Sequence, residues 1–403
     1  MQSITPQSEV RHILLRLPNW LGDSVMVSAA FEWLKKSFDK ADFTLVGTKA
    51  SCGIYERDTR VRAIFIDESK TSRFRILAIK KLAKNIGTHD IAISFSNTFF
   101  SALLLYLSRS KIRIGYARNA RSFLLTNALP LKKYNSSGKK YHQVLLYLAL
   151  IAPLKAVQTY IFKSLQTPSL KMPNHKHLHT ESSNTQSTLL DLLSNQPLKL
   201  ISTKPILDTR TYAIGINPGA AFGSAKRWEQ SHFISIIEYF LSQRYEVYLF
   251  GSSIESRANT DIAAALKNHP YMQYFHNLTD KTNLHELVDY ISAMSVFITN
   301  DSGPMHIATA LKVPIVAIFG PTDMYETAPY TPFTESIRQD STNVLCANPP
   351  FVLLSKALPC SPCKKRECPL GHHNCMKFIT PAEVITYTNR LLENQHKRLT
   401  YDT

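Results

Sequence analysis

The chain has 403 residues, enough for two domains, and 44% of them are hydrophobic and 19% charged, the balance of an ordinary α/β protein. Its net charge of +17 is uneven: residues 1–165 hold 26 Lys and Arg against 10 Asp and Glu, the remainder 21 against 20, and no acidic residue occurs from Ile91 to Thr180. No apolar run has the length of a membrane-spanning helix, and the N-terminal MQSITPQSEVRH lacks the apolar core of a secretion signal, so a cytoplasmic protein is expected.

His12–Leu17 reads as a buried first strand ending in Pro18-Asn19-Trp20-Leu21-Gly22-Asp23, followed by an amphipathic helix over Ser24–Phe38. Asp23 thus stands where strand meets helix. It is either a helix cap or a carboxylate held at a sheet edge and available as a general base. Further short apolar runs follow at Phe43–Val46, Ala63–Ile66, Ile91–Phe95 and Ile112–Gly115, with helical stretches at Phe74–Ile86 and Thr98–Ser108. This alternation implies a doubly wound parallel sheet. Arg57, Arg60, Arg62, Lys70, Arg73 and Arg75 cluster mid-way through this half, and Arg113, Arg118 and Arg121 follow. The basic half is expected to meet something anionic: nucleic acid, an anionic membrane face or a phosphorylated substrate. No zinc finger, RNP-type aromatic signature or basic heptad helix accompanies it, which places nucleic acid last.

Val144–Leu154 is the longest apolar run, but it contains Pro153 and is followed by Lys155. Residues 166–210 are rich in Ser, Thr, Asn, Gln, Pro and Lys and read as a linker or insertion between a first domain, 1–165, and a second, 211–380. His175, His177 and His179 alternate within it without a nearby cysteine or carboxylate, a weak pattern for metal.

A second βα series opens with the strand Tyr212–Ile216, which runs into a small-residue loop, Asn217 to Trp228, ending in the cation pair Lys226-Arg227. Small residues such as Gly219 and Ser224 let a ligand approach backbone N–H groups, and Lys226 adds a point charge, a combination suited to a diphosphate. The spacing is neither a Walker A nor GxGxxG. After the helix Gln230–Leu241, the strand Glu246–Phe250 ends in Gly251-Ser252-Ser253. The helix Leu284–Ala293 leads to the strand Val296–Thr299, the hinge Asn300-Asp301-Ser302-Gly303-Pro304, a helix over Met305–Leu311 and the strand Val313–Phe319. Asp301 or Ser302 is the expected cap of that helix, with Pro304 at its first position. A final helix spans Pro381–Glu393.

The set Trp20-Leu21-Gly22-Asp23, Asn217-Pro218-Gly219 with Lys226-Arg227-Trp228, Phe250-Gly251-Ser252, and Asp301-Ser302-Gly303-Pro304-Met305-His306 resembles the bacterial lipopolysaccharide heptosyltransferases of glycosyltransferase family 9, most of all the heptosyltransferase II type. Asn97–Leu103 with Arg113-Ile114-Gly115-Tyr116, and the segment Arg366–His372, are similar to the same type. The resemblance covers most of the chain outside the insertion and Thr331–Leu358. It implies a GT-B fold, two Rossmann-like domains facing across a cleft, with the final helix crossing back to the first. It also implies an inverting, metal-independent transfer of heptose from ADP-heptose to the inner core of lipopolysaccharide. On that resemblance Asp23 is the catalytic base and Lys226 neutralises the departing diphosphate. Gly219, Ser224, Lys226, Ser252, Ser253, Asp301, Ser302, Gly303 and His306 bind the donor, with Asp301 near sugar hydroxyls. Asn97, Ser101, Arg113, Arg118 and Arg121 bind the phosphorylated lipid A–core acceptor.

The charge split agrees: the balanced half suits a nucleotide, and the basic half an acidic glycolipid beside an anionic leaflet at the cytoplasmic face of the inner membrane, with no nucleic acid partner. A lysine and a helix N-terminus can stabilise a departing diphosphate without a divalent cation, and no Asp-x-Asp stands at a strand end to hold one. Rival readings are a transferase of the same fold with another donor or acceptor, and a basic nucleotide- or nucleic-acid-binding protein without catalysis. Asp23 and Lys226 together favour catalysis, since a binding module needs no base. Cys360, Cys363, Cys368 and Cys375 form C-x2-C-x4-C-x6-C with His372 and His373 inside. A structural metal is one reading of them, and a packed, reduced loop is the favoured one for a metal-independent family.

Overall fold

The computed structural model describes residues 10–134, 138, 140–165, 185–203, 207, 212–332, 337–340, 343–347 and 350–401. The chain divides into two compact units, Met1–Ile201 and Ser202–Thr403.

In the first unit the order is β1 (His12–Arg16), α1 (Leu21–Ser37), β2 (Asp42–Gly47), α2 (Lys49–Gly53), β3 (Val61–Ile66), α3 (Arg75–Ile86), β4 (Ile91–Ser94), α4 (Phe99–Leu107), β5 (Ile112–Tyr116), β6 (Asn127–Leu129), α5 (Gln143–Ile151), α6 (Lys155–Leu165) and α7 (Thr185–Ser194). The strands form one parallel sheet in the order β3-β2-β1-β4-β5-β6. β1 and β4 are nearly all buried, and strands covered on both faces show as unbroken apolar runs. Leu14, Val46 and Ala92 pack with Ile79 and Ala83 of α3 and Ala102 and Leu105 of α4. The apolar α5 packs along α1, and no single helix among the described residues is long and apolar enough to cross a membrane.

The polar stretch read as a linker is not all linker. Trp33 Nε1 donates to the Leu193 carbonyl at 2.9 Å, Lys36 reaches Gln196 at 2.6 Å, and Lys199 N–H donates to Ser28 Oγ at 3.0 Å. These bonds fasten α7 and the chain after it to α1. His175, His177 and His179 lie outside the described residues.

The second unit runs β7 (Ala213–Asn217), α8 (Gln230–Ser242), β8 (Glu246–Leu249), α9 (Ser256–Leu266), β9 (Phe275–Asn277), α10 (Leu284–Ser292), β10 (Val296–Asn300), α11 (Gly303–Ala310), β11 (Ile315–Ile318), α12 (Met324–Thr327), β12 (Ile337–Asp340), β13 (Asn343–Ala347), β14 (Pro350–Leu354), α13 (Asn374–Lys377) and α14 (Pro381–Tyr401). Its sheet has the order β12-β13-β14-β11-β10-β7-β8-β9, parallel except for the antiparallel pairs β12–β13 and β13–β14. Val384, Tyr387, Leu391 and Leu392 of α14 are buried in this unit's core with Phe233, Ile237 and Phe240 of α8.

Both sheets therefore change winding direction once, the first between β1 and β4, the second between β7 and β10. Loops leaving the carboxyl ends of strands at such a point diverge above and below the sheet and leave a crevice for ligand. The Asn19–Asp23 turn and the Ser96–Ser101 turn flank the first. The Asn217–Trp228 loop and the Asp301 hinge flank the second.

Candidate active site

Asp23 lies inside the first turn of α1, because the helix begins at Leu21 rather than at Ser24. It is not a cap. Trp20 occupies the cap position without a side-chain bond, and a carboxylate in the first turn is favoured by the helix's free N–H groups. The half-buried carboxylate accepts from the Tyr147 hydroxyl at 2.9 Å. Burial, and then the charge of Asp23, hold the Tyr147 phenol well above its ordinary pKa, so it stays protonated and donates. Beneath them Arg16, buried, donates to the Leu17 carbonyl, to Asn19 Oδ1 at 3.0 Å and to Asp67 Oδ2 at 2.9 Å. The Ser24 and Ser51 hydroxyls both donate to the Pro18 carbonyl. The turn presenting Asp23 is thus fixed from below by side chains that the sequence did not mark.

The residues read as acceptor contacts divide. Arg121 has no exposed surface, and its guanidinium donates to the carbonyls of Tyr116 (3.0 Å), Ser96 (2.5 Å) and Thr98 (3.1 Å), to Ser101 Oγ (2.9 Å) and to Asn97 Oδ1 (3.0 Å). Burial pulls its pKa down to about 10. Ser101 is also buried, its hydroxyl donating to the Ser96 and Thr98 carbonyls. Arg121 and Ser101 are therefore corrected from acceptor contacts to internal struts of the β4–α4 turn. Arg113 is likewise engaged, donating to the Leu124 and Ser110 carbonyls. Arg118 sits on an exposed turn, and Asn97 is half-buried at the crevice. Arg121→Met should cost about 3 kcal/mol or more, because several buried carbonyls lose their donor at once. Urea unfolding checks it; an unchanged midpoint with a raised acceptor KM would restore the contact role.

In the second unit the chemistry converges on Lys226 and Asp301. Their charged atoms stand 2.6 Å apart with side chains 12% and 5% exposed, and Thr322 Oγ1 donates to the same carboxylate oxygen at 2.7 Å. Lys226 also lies over the Phe222 ring, 4.9 Å from its centre. Asn217 and Asn300 tie the neighbouring strand ends together. Asn217 Nδ2 reaches Thr299 and Ser302, and Asn300 bridges the Pro218 carbonyl (2.6 Å) and the Trp228 N–H (3.3 Å).

Ser302 occupies the cap position of α11, yet no side chain caps that helix, since Ser302 Oγ is taken up by Asn217 and Thr299. Pro304 lies at its start. The expected cap is absent, and the N–H groups of the first turn face the crevice as a ready anion site. Gly303 stands in that turn, with His306 buried just beyond it.

Ser252 and Ser253 are exposed, and Ser252 forms a capping box with the buried Glu255. Gly219 is needed because a Cβ there would come within 2.8 Å of the Glu255 side chain. Ser224 is exposed at the start of the short turn that carries Lys226.

In the second unit a cation at a strand-end crevice beside an uncapped helix start suits a diphosphate, and in the first a carboxylate held in a first helical turn can take a proton. The family model for glycosyltransferase family 9 (heptosyltransferase) matches residues 79–373. The chain belongs to glycosyltransferase family 9. This heptosyltransferase is 33% identical to the lipooligosaccharide heptosyltransferase 2 of Campylobacter jejuni serotype O:2 over 95% of its own length and 99% of the relative's. It is 28% identical to the lipopolysaccharide heptosyltransferase 2 of Escherichia coli K12, covering 94% and 98% of the two chains. Among solved structures, E. coli ADP-heptose lipopolysaccharide heptosyltransferase II superposes with a TM-score of 0.66 at 24% identity over 96% of this chain and 99% of that one. The heptosyltransferase has the GT-B fold and is a glycosyltransferase.

Proposed function

We propose that this heptosyltransferase moves a heptose from ADP-heptose onto the inner core of lipopolysaccharide, adding the second heptose to heptosyl-Kdo2-lipid A. The observation that carries the reading is the buried Lys226–Asp301 pair beside the uncapped start of α11. Asp23 takes the proton of an acceptor hydroxyl while that oxygen bonds to the anomeric carbon with inversion. The bond from that carbon to the donor's phosphate oxygen breaks, and its electron pair leaves with ADP. Lys226 and the first-turn N–H groups of α11 meet the charge that develops on the diphosphate, so the step proceeds without a catalytic metal. Titration calorimetry with ADP, UDP and GDP tests the donor: ADP should bind tightest, and a preference for UDP or GDP would move the chain to another transferase class.

The site of action follows from charge. The enzyme works at the cytoplasmic face of the inner membrane, and its basic half serves phosphorylated glycolipid and anionic headgroups rather than nucleic acid. Support comes from α3 and the residues just before it, where Phe74, Ile76 and Leu77 are each more than 60% exposed beside Arg73, Lys80, Lys81 and Lys84. Apolar side chains ringed by cations are what an anionic lipid surface binds. Co-sedimentation with phosphatidylglycerol vesicles should fall about tenfold for F74S/L77S, given the apolar area removed. Equal binding to phosphatidylcholine vesicles, or no change in the variant, would dismiss this surface.

A further inference from the structure

The cysteine segment between β14 and α14 takes no part in the transfer chemistry, yet it is the most unusual composition in the chain. Cys360, Cys363, Cys368 and Cys375 all line a single pocket of about 260 Å³, whose other walls include Pro321 and Leu370. None of the four is in a disulfide. Three are half-buried and one is buried, so a solute ion can reach them.

His372 separates the ligand from its neighbour. Its Nδ1 accepts from the Asn374 N–H at 3.0 Å, so in the neutral ring Nε2 carries the proton. That nitrogen points at Cys360 Sγ, 4.0 Å away, as a donor to sulfur and not as a lone pair for a metal. Four thiols remain as the ligand set. Four thiolates around a divalent ion carry a net charge of −2; of the cations between the second and third cysteines, Lys364 is paired with Glu326 at 2.5 Å and Arg366 lies over the Phe222 ring.

We infer that Cys360, Cys363, Cys368 and Cys375 form a tetrathiolate site for a divalent metal of the zinc or ferrous type, and that the bound ion braces the loop carrying Lys226. Among the described residues no group of three or more such side chains is arranged to hold an ion as it stands, so the proposed site requires the four thiols around the pocket to move together when the metal binds. Each gives up its proton to solvent on binding, with no change of oxidation state.

The brace is explicit in the backbone. Ala225 N–H donates to the Arg366 carbonyl at 2.9 Å, and His373 Nε2 lies 2.9 Å from the Ala225 carbonyl. A Cβ on residue 223 would come within 2.3 Å of the Arg366 carbonyl oxygen, so Gly223 lets the two segments meet.

The test uses the full chain purified without chelator or histidine tag. Elemental analysis should give about one zinc or iron per chain, the occupancy of a closed structural site. Replacement by one equivalent of Co2+ should produce thiolate-to-cobalt charge transfer and the visible bands of tetrahedral coordination, and should protect four of the six thiols from a thiol reagent. C363S and C368S should each lose the cobalt spectrum. Stripping the ion should weaken ADP binding about tenfold, since ordering the Lys226 turn then falls to the nucleotide. Should the variants not fold, the wild-type cobalt titration decides alone. Metal-free protein that shows no charge-transfer band and no thiol protection with added Co2+ overturns the site, as does a cobalt spectrum that survives both substitutions. These readouts do not depend on which nucleotide sugar is the donor.

Discussion

Asp23→Asn is expected to lower turnover about a hundredfold or more, the scale of a lost general base, while leaving ADP affinity unchanged. The substitution is close to isosteric and keeps an oxygen to accept from the Tyr147 hydroxyl, so the first turn of α1 stays in place. What it removes is the ability to take a proton. Single-turnover kinetics with ADP-heptose, beside calorimetry with ADP, separates the two effects. Turnover surviving intact would remove Asp23 from the chemistry. Tyr147→Phe is the companion variant: on the proposed mechanism Tyr147 only holds Asp23 in place through its 2.9 Å hydrogen bond, so its loss should be well below that of Asp23→Asn.

Lys226→Ala should act twice. It strands a buried carboxylate whose other described partner is Thr322, and breaking a buried ion pair costs about 3–5 kcal/mol. It also withdraws the cation from the crevice at the carboxyl ends of β7 and β10, so on the proposed donor role ADP affinity should fall about tenfold or more, on the scale of a charge-assisted hydrogen bond. The double variant Lys226→Met with Asp301→Asn separates the two, because removing both charges relieves the stranded carboxylate without restoring a cation. Stability should largely return and ADP affinity should not. A double variant that binds ADP as the wild type does would make the pair a structural bridge and nothing more.

Much of this architecture can be read from the residues alone. Parallel strands buried on both faces appear as short apolar runs, which is why β1, β4, β7, β10 and β11 and their Gly- and Ser-rich exits are legible. Asp23, Lys226 and Asp301 are legible because they stand at those exits. The antiparallel edge β12–β14 is not, since its register is set by pairing between strands and not by a local pattern. Three-residue strands such as β6 and β9 carry too little periodicity to show.

Arg121 misleads for a different reason. Arginine is almost always a surface residue, and only the carbonyls gathered round it from the β4–α4 turn and the end of β5 reveal it as interior. Lys226 and Asp301 are 75 positions apart in the chain, so their pairing is a property of the fold alone. The bonds that tie α7 to α1 are hidden in the same way, because the stretch around it is polar and weakly periodic.

The place of α14 bears on how the molecule is made. The first unit has all its strands, and the bond from Lys199 to Ser28, once the chain has been synthesised through its first half. The second unit cannot seal its interior until Val384, Leu391 and Leu392 have left the ribosome, because those side chains cover α8 and the central strands. Nascent chains halted near residue 380 should therefore bind hydrophobic dyes and recruit chaperones through the later lobe while the earlier lobe already resists protease.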